Sequence, residues 1–357
     1  MHIALVITSL GTGGAENLVV NLSLKLSELG HSVRVVTLSE AAGLPRELAE
    51  TAGVDVVSLG TSSRDARAVA RLPKAVKGFD IVHVHLFPAL YVGALAHLRQ
   101  PKIFTEHSTF NKRRTSTLYL PTERFAYGRY DQLVAISDGV ARSLRSHLSR
   151  LDLRKAISVI HNGISDAFFE GAPDVRKRNA DPIRLITIGT LDSRKNISDA
   201  VSATHALKGA TLTIVGSGPL EADLRRQVGS LGLEGRVRLI GQRSDIRELL
   251  DDHDALLSTS RYEGFGLVAA EAMARGLPVI GPDVPGLREV VGHERTGFLF
   301  RPNPTSVDTI AESIERLDDD ALYEKLSRNA LTESVRFTTD RAARAHIDLY
   351  ARAIENV

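Results

Sequence analysis

The sequence predicts two consecutive α/β domains, and three observations carry that expectation. Short apolar runs of strand length alternate with amphipathic stretches along the chain, the pattern of parallel sheets wrapped by helices. The alternation lapses once, in a charged stretch from Gly171 to Pro182 that holds two prolines and no apolar rhythm, and then begins again. A length of 357 residues is generous for one core and ordinary for two.

The elements follow in order. In the first half, strands are expected at His2 to Thr8, Ser32 to Leu38, Val54 to Leu59, Ile81 to His85, Lys102 to Glu106, Gln132 to Ile136 and Ile157 to Ile160. Between the first two, Glu16 to Leu29 places Leu18, Val19, Leu22, Leu26 and Leu29 on one helical stripe, closed by Gly30. His161-Asn162-Gly163-Ile164 ends this half in a turn. After the lapse, strands are expected at Arg184 to Ile188, Thr211 to Val215, Val237 to Leu239, Ala255 to Ser258 and Pro278 to Gly281, with helices between them. Thr339 to Ile354 is amphipathic through Ala342, Ala345, Ile347, Leu349 and Tyr350. The expected division is residues 1–165, a linker over 166–182, a second domain over 183–338 and a final helix over 339–357.

Composition excludes several classes. Hydrophobic content of 43% with 25% charged residues is that of a globular protein rather than a disordered or membrane-spanning chain. With no cysteine there is no disulfide framework, thiolate metal site or thiol nucleophile, so a cytoplasmic setting is the expectation. Residues 1 to 10 read as a buried strand running toward glycines, not as a signal peptide, and no apolar run approaches a membrane span. The net charge of +2 hides an asymmetry, because residues 1–165 carry 20 Lys and Arg against 13 Asp and Glu, leaving 25 against 30 beyond them. The basic first half suits an anionic acceptor or lipid surface, or is simply solvated. Nothing points to nucleic acid.

The chemistry concentrates in Ser258-Thr-Ser-Arg-Tyr-Glu263-Gly264-Phe265-Gly266-Leu267-Val-Ala-Ala-Glu271-Ala-Met-Ala-Arg-Gly276-Leu-Pro278. Two acids bracket a helix start near Leu267, and glycines on either side of Phe265 let backbone approach a ligand closely. Free amides at that helix end make a seat for phosphate; the plainer alternative is a buried helix with capping acids. Gly11-Thr-Gly13-Gly14-Ala-Glu16 similarly joins the first strand to the first helix. It is not a dinucleotide fingerprint, since the third glycine of that spacing falls on Glu16. Asp318-Asp319-Asp320 contains the Asp-x-Asp string of metal-dependent transferases, but it opens a tail helix far from the other motifs, so capping explains it and no metal is expected.

Glu263, seven residues, Glu271, with Gly-Phe-Gly after the first acid, resembles the signature of retaining nucleotide-sugar glycosyltransferases of family 4. That resemblance implies the GT-B fold, two Rossmann-like doubly wound domains facing across a cleft. It implies that Glu263 binds donor-sugar hydroxyls, that backbone around Gly264, Phe265, Gly266 and Leu267 holds sugar and phosphate, and that Glu271 grips the ribose. Carboxylate oxygens suit such paired hydroxyl donors. It further places Gly13, Gly14 and Gly216 at the phosphates, and Ile240 and Gly241 at the nucleobase. In Gly189-Thr-Leu-Asp-Ser-Arg-Lys195, Lys195 falls on the family's diphosphate-binding lysine, whereas its arginine position is Thr190, leaving Arg194 as the obvious substitute. His107, after Thr105-Glu106, matches the family histidine that reaches the donor sugar; a lone histidine at a strand end also suits a structural role. His83, His85, Ser137, Asp138 and Asn162 match family segments less specifically, and Ser137 and Asp138 also read as caps of a helix from Gly139 to His147.

The expected activity is retaining transfer of a sugar from a nucleoside diphosphate, UDP ahead of GDP, to a hydroxyl of a glycan or lipid-linked glycan, with Lys195, Glu263 and His107 at the reaction and no cofactor. The rivals are a catalytically weak nucleotide-sugar-binding subunit, suggested by Thr190, and a GT-B nucleotide-sugar epimerase. Phe110 to Tyr130, with Lys112, Arg113, Arg114, Arg124 and Arg129 among Leu118, Tyr119, Leu120 and Phe125, either rests on an anionic membrane at its cytoplasmic face or turns its basic side to water.

Overall fold

The structure, a computed structural model, describes residues 1–11, 13–40, 53–60, 62–178, 182–207, 209–302 and 307–356. Thr12 of the first glycine turn and residues 179–181 of the expected linker lie outside the described residues. The chain forms two compact units, Met1–Ile164 with Phe337–Val357, and Ser165–Arg336.

The first unit holds a seven-stranded sheet of β1 (His2–Ile7), β2 (Ser32–Thr37), β3 (Asp55–Ser58), β4 (Ile81–His85), β5 (Lys102–Glu106), β6 (Gln132–Ala135) and β7 (Ile157–Val159). Its order is β3-β2-β1-β4-β5-β6-β7, and every pairing is parallel. Alternate side chains feed two cores. Ala4, Val6, Val82, Val84, Phe104 and Leu133 pack on one face, and Ile3, Leu5, Ile7, Ile81, Ile103 and Val134 on the other. Burial on both faces explains the unbroken apolar run of β1, in which Ile3 through Ile7 are fully buried, each large side chain contributing about 1.5–3 kcal/mol. The helix Thr339–Glu355 belongs to this unit, delivering Ala343, Leu349, Tyr350 and Ala353 to the second of these cores. The chain re-enters through a bridge between Ile164 and Thr338, with Thr339 Oγ1 donating to the Ile164 carbonyl at 2.7 Å.

The second unit holds β8 (Arg184–Ile188), β9 (Thr211–Val215), β10 (Val237–Leu239), β11 (Ala255–Leu257), β12 (Val279–Pro282) and β13 (Gly297–Phe300), again all parallel, in the order β10-β9-β8-β11-β12-β13. Leu185, Leu212, Ile214, Leu257, Ile280 and Phe298 anchor its core. Both orders reverse direction beside the first strand, between β1 and β4 and between β8 and β11. Ligands of doubly wound folds bind at such reversals, outside the carboxyl ends of the strands. β13 was not expected from the sequence.

The segment read as a connector is tied to the second unit. Arg275 donates to the carbonyls of Phe168 at 3.2 Å, Glu170 at 2.7 Å and Gly171 at 3.2 Å while its guanidinium pairs with Asp251. Buried Arg176 donates to the Leu250 and Asp251 carbonyls. Among the described residues, no helix is long and apolar enough to cross a membrane.

Candidate functional site

In the second unit, the loops leaving β8 and β11 lie side by side at the strand reversal. The Arg261 N–H donates to the Arg194 carbonyl at 2.8 Å, and Thr259 Oγ1 donates to the Lys195 carbonyl at 3.1 Å. Lys195 Nζ then reaches Glu263 Oε1 at 2.6 Å, so two residues 68 positions apart form one ion pair. Their side chains are 29% and 16% exposed, which leaves the pair reachable yet partly desolvated. Immediately after Glu263 the backbone turns through buried Phe265 and Gly266, whose φ of +96° starts the helix Leu267–Ala274. The first amides of that helix, which have no intrahelical acceptor, therefore follow the ion pair directly in the chain.

The glycines here are needed by the protein's own backbone. Gly286 has φ of +87°, and a Cβ there would lie 2.7 Å from the Glu263 carbonyl oxygen, so its turn props the Glu263 loop from beneath. At Gly216, φ is +135° and a Cβ would fall 1.9 Å from the Gly189 carbonyl oxygen. The turns after β8, β9 and β10 are joined by Leu191 N–H to Ser217 carbonyl at 2.9 Å and Gly216 N–H to Gly241 carbonyl at 2.8 Å. Ile240 lies beside them, its N–H held by the Ile214 carbonyl at 3.0 Å.

Arg194 does not join the pair. Its guanidinium binds Asp192 through Nε at 2.9 Å and Nη2 at 2.6 Å, and its backbone N–H binds the same carboxylate. The Asp192 hydrogen bond raises the Arg194 pKa above its ordinary value. Burial pushes the Asp192 carboxyl up, but the Arg194 contacts outweigh it and the net shift is downward. Arg194 is thus neutralised within its own loop, with 59% of its side chain exposed.

The carboxyl of Glu271, on the helix Leu267–Ala274, has no hydrogen-bond or ion-pair partner among the described residues, and burial raises it to about 7. The folded form holds this proton more tightly than the unfolded chain, so folding stability falls as pH rises from the ordinary carboxylate range to about 7, then levels off. Glu271→Gln should therefore be more stable than the native protein by about 1–3 kcal/mol at about pH 8, and equal to it near pH 4, in urea titrations at the two pH values.

In the first unit, Gly13 precedes the helix Gly14–Glu28, and its carbonyl accepts from Asn17 N–H at 3.1 Å. The Glu16 side chain folds back so closely that a Cβ on Gly13 would lie 2.3 Å from its Oε2. A carboxylate already lies at the helix start where the resemblance places phosphate, and the Gly13-Gly14 turn receives an anion only if Glu16 moves aside.

His107 follows β5, half-buried, with Nε2 3.1 Å from Nδ1 of His85, the last residue of β4. Burial lowers the His107 imidazole to about 4 and holds His83 and His85 well below the usual histidine range. Ser137 caps the helix Asp138–Arg150 by accepting from Val140 N–H at 3.1 Å. In the second unit, Asp319 does the same for Asp320–Ser334, accepting from Leu322 N–H at 3.0 Å. Two participants escaped sequence reasoning: Asp192 and Thr259. The Asp-x-Arg spacing could have exposed the first.

Comparisons with known proteins bear on the family and the fold. The family Glycosyl transferases group 1 matches residues 169–333, and Glycosyltransferase Family 4 matches residues 12–168. The glycogen synthase of Mycobacterium tuberculosis is 30% identical over 293 residues, covering 76% of this chain and 69% of that protein. The N-acetyl-alpha-D-glucosaminyl L-malate synthase of Bacillus anthracis is 35% identical over 149 residues, 41% of this chain and 39% of that one. Anabaena HepE, solved with UDP and glucose, shares the fold with a TM-score of 0.84 at 22% identity, covering 99% of this chain and all of that one. Two parallel-sheet Rossmann-like units, the paired acids of the second and these relatives identify the chain as a member of glycosyltransferase family 4, with a GT-B fold.

Proposed function

We propose that this glycosyltransferase moves a sugar, with retention, from a nucleoside diphosphate, UDP ahead of GDP, to a hydroxyl of a glycan or lipid-linked glycan. The Lys195–Glu263 ion pair at the β8/β11 reversal carries the reading, because it sets a cation and a hydroxyl acceptor 2.6 Å apart, with a helix N-terminus next in the chain. The bond from the anomeric carbon to the diphosphate breaks as the acceptor oxygen attacks from the same face, and the departing phosphate oxygen takes the acceptor proton. Glu263 orients sugar hydroxyls, Lys195 receives the growing diphosphate charge and His107 gives the sugar a further hydrogen bond. Gly264 to Leu267 supply backbone amides, Glu271 takes the ribose hydroxyls, and Gly216, Ile240 and Gly241 border the phosphates and base. Lys195 and the helix start replace a divalent ion, so transfer should continue in excess EDTA.

Anabaena HepE, solved in complex with UDP, with UDP and glucose, and with UDP-glucose, supports the donor class. A thermal-shift panel of UDP-, GDP- and ADP-sugars tests it, with the UDP-sugar expected to give the largest rise. Because ribose hydroxyls favour ionised Glu271, donor affinity should strengthen as pH rises toward about 7 and then plateau. A rise with no transfer to any acceptor would favour the nonenzymatic subunit, which Thr190 and the neutralised Arg194 also suit. We place the enzyme at the cytoplasmic face of a membrane, where exposed Leu118, Tyr119, Phe125, Arg124 and Arg129 suit anionic lipid around the acceptor.

A further inference from the structure

Four histidines lie together in the first unit. His83 and His85, two apart on β4, share a sheet face, with ring centroids 4.1 Å apart. His346, on the helix Thr339–Glu355, lies 5.3 Å from His83, and His107 lies 5.4 Å from His85. Each of the four has at least one evident partner. His83 meets Tyr350 OH at 2.7 Å and Thr105 Oγ1 at 2.6 Å, and His346 Nδ1 donates to the Ala342 carbonyl at 2.8 Å. His107 Nε2 meets His85 Nδ1 at 3.1 Å. His85 Nε2, in contrast, is buried with no hydrogen-bond partner among the described residues.

That orphan nitrogen decides a proton position. A neutral imidazole carries one N–H and one bare nitrogen, and a buried N–H without an acceptor is the rarer and costlier arrangement. The His85 proton therefore sits on Nδ1 and is donated to His107 Nε2. His107 Nε2, as the acceptor, is bare, so the His107 proton sits on Nδ1. Nδ1 has no hydrogen-bond partner among the described residues and, unlike His85 Nε2, is not sealed from solvent. Burial keeps both rings neutral at neutral pH, which the argument requires.

We propose that His85 is a positioning residue that fixes His107 as the Nδ1–H tautomer, so that His107 meets its ligand as a hydrogen-bond donor and not as a base. The catalytic consequence rests on the reading of His107 as a contact of the donor sugar; the tautomer does not. A sugar oxygen, rather than a hydroxyl proton, is then the atom His107 recognises.

The full chain, labelled with ¹⁵N-histidine, tests this directly. With 12 histidines, His107→Gln identifies the His107 signals. A bare Nε2 and a protonated Nδ1 are expected, and a protonated Nε2 in the native protein overturns the proposal. His85→Leu, which removes the donor, should lower kcat about tenfold with the donor KM within about threefold, and should release His107 to a mixture of tautomers. His85→Asn keeps an N–H near the Nδ1 position and should stay within about threefold of native turnover. Native turnover in His85→Leu beside a loss of about thirtyfold or more in His107→Ala overturns the positioning role while sparing the sugar contact. Native turnover in His107→Ala instead removes the sugar contact, and the spectrum alone then decides the tautomer.

Discussion

Lys195→Ala should lower transfer at least tenfold, and about 30- to 1,000-fold if removing a diphosphate cation costs the ~2–4 kcal/mol typical of a preorganised charge. The large figure is expected because the neighbouring cations do not substitute. Thr190 carries no charge, and Arg194 is already bound to Asp192. The loss should have two parts. Glu263 stripped of its 2.6 Å partner faces an incoming diphosphate with an uncompensated carboxylate, so donor binding weakens along with the chemical step. Glu263→Ala should also cost at least tenfold, through misplaced sugar. Adding Glu263→Gln to Lys195→Ala should restore part of the donor affinity but not kcat, a split that steady-state kinetics with native-like melting would record. Native turnover in both single variants would remove Lys195 and Glu263 from the mechanism.

Gly216→Ala should unfold the second unit more readily than any conservative surface change. The methyl group would sit 1.9 Å from the Gly189 carbonyl oxygen, at a φ of +135° that residues with a Cβ rarely adopt. The obstruction is backbone, which no rotamer change relieves. Clash and strain together should exceed about 4 kcal/mol, lowering the melting temperature of the second unit by on the order of 10 °C. Variants that remain folded should bind donor poorly, because the displaced Gly189 turn leads directly to Lys195. Scanning calorimetry with and without a UDP-sugar separates the effects, and an unchanged melting profile would contradict the packing of the two turns.

Much of the architecture was legible because burial on both sheet faces leaves Ile3 to Ile7 of β1 as an uninterrupted apolar run and the other central strands mainly apolar. β13 escaped for the opposite reason: Gly297-Phe-Leu-Phe300 is four residues long, begins with glycine and follows the polar His293-Glu-Arg-Thr296. The fold class and the family were readable from Glu263-Gly-Phe-Gly and Glu271, whose spacing is local. The Lys195–Glu263 contact was not, since strand order rather than sequence separation brings them together. Arg194 looked free because its counter-ion lies only two residues away, in a loop whose shape no periodicity reveals. The histidine cluster was half visible. His83 and His85 obey the two-residue period of a strand, but Tyr350 arrives 267 residues later to fix His83.

That late arrival bears on how the gene can be cut. Because Ala343, Leu349, Tyr350 and Ala353 pack with the residues of β1, a donor-specificity chimera has its splice points at 164/165 and 336/337, exchanging only the interior cassette. Grafting everything beyond residue 164 would import a foreign tail and strip the host half of its own, and a library built that way would score insolubility as lost specificity.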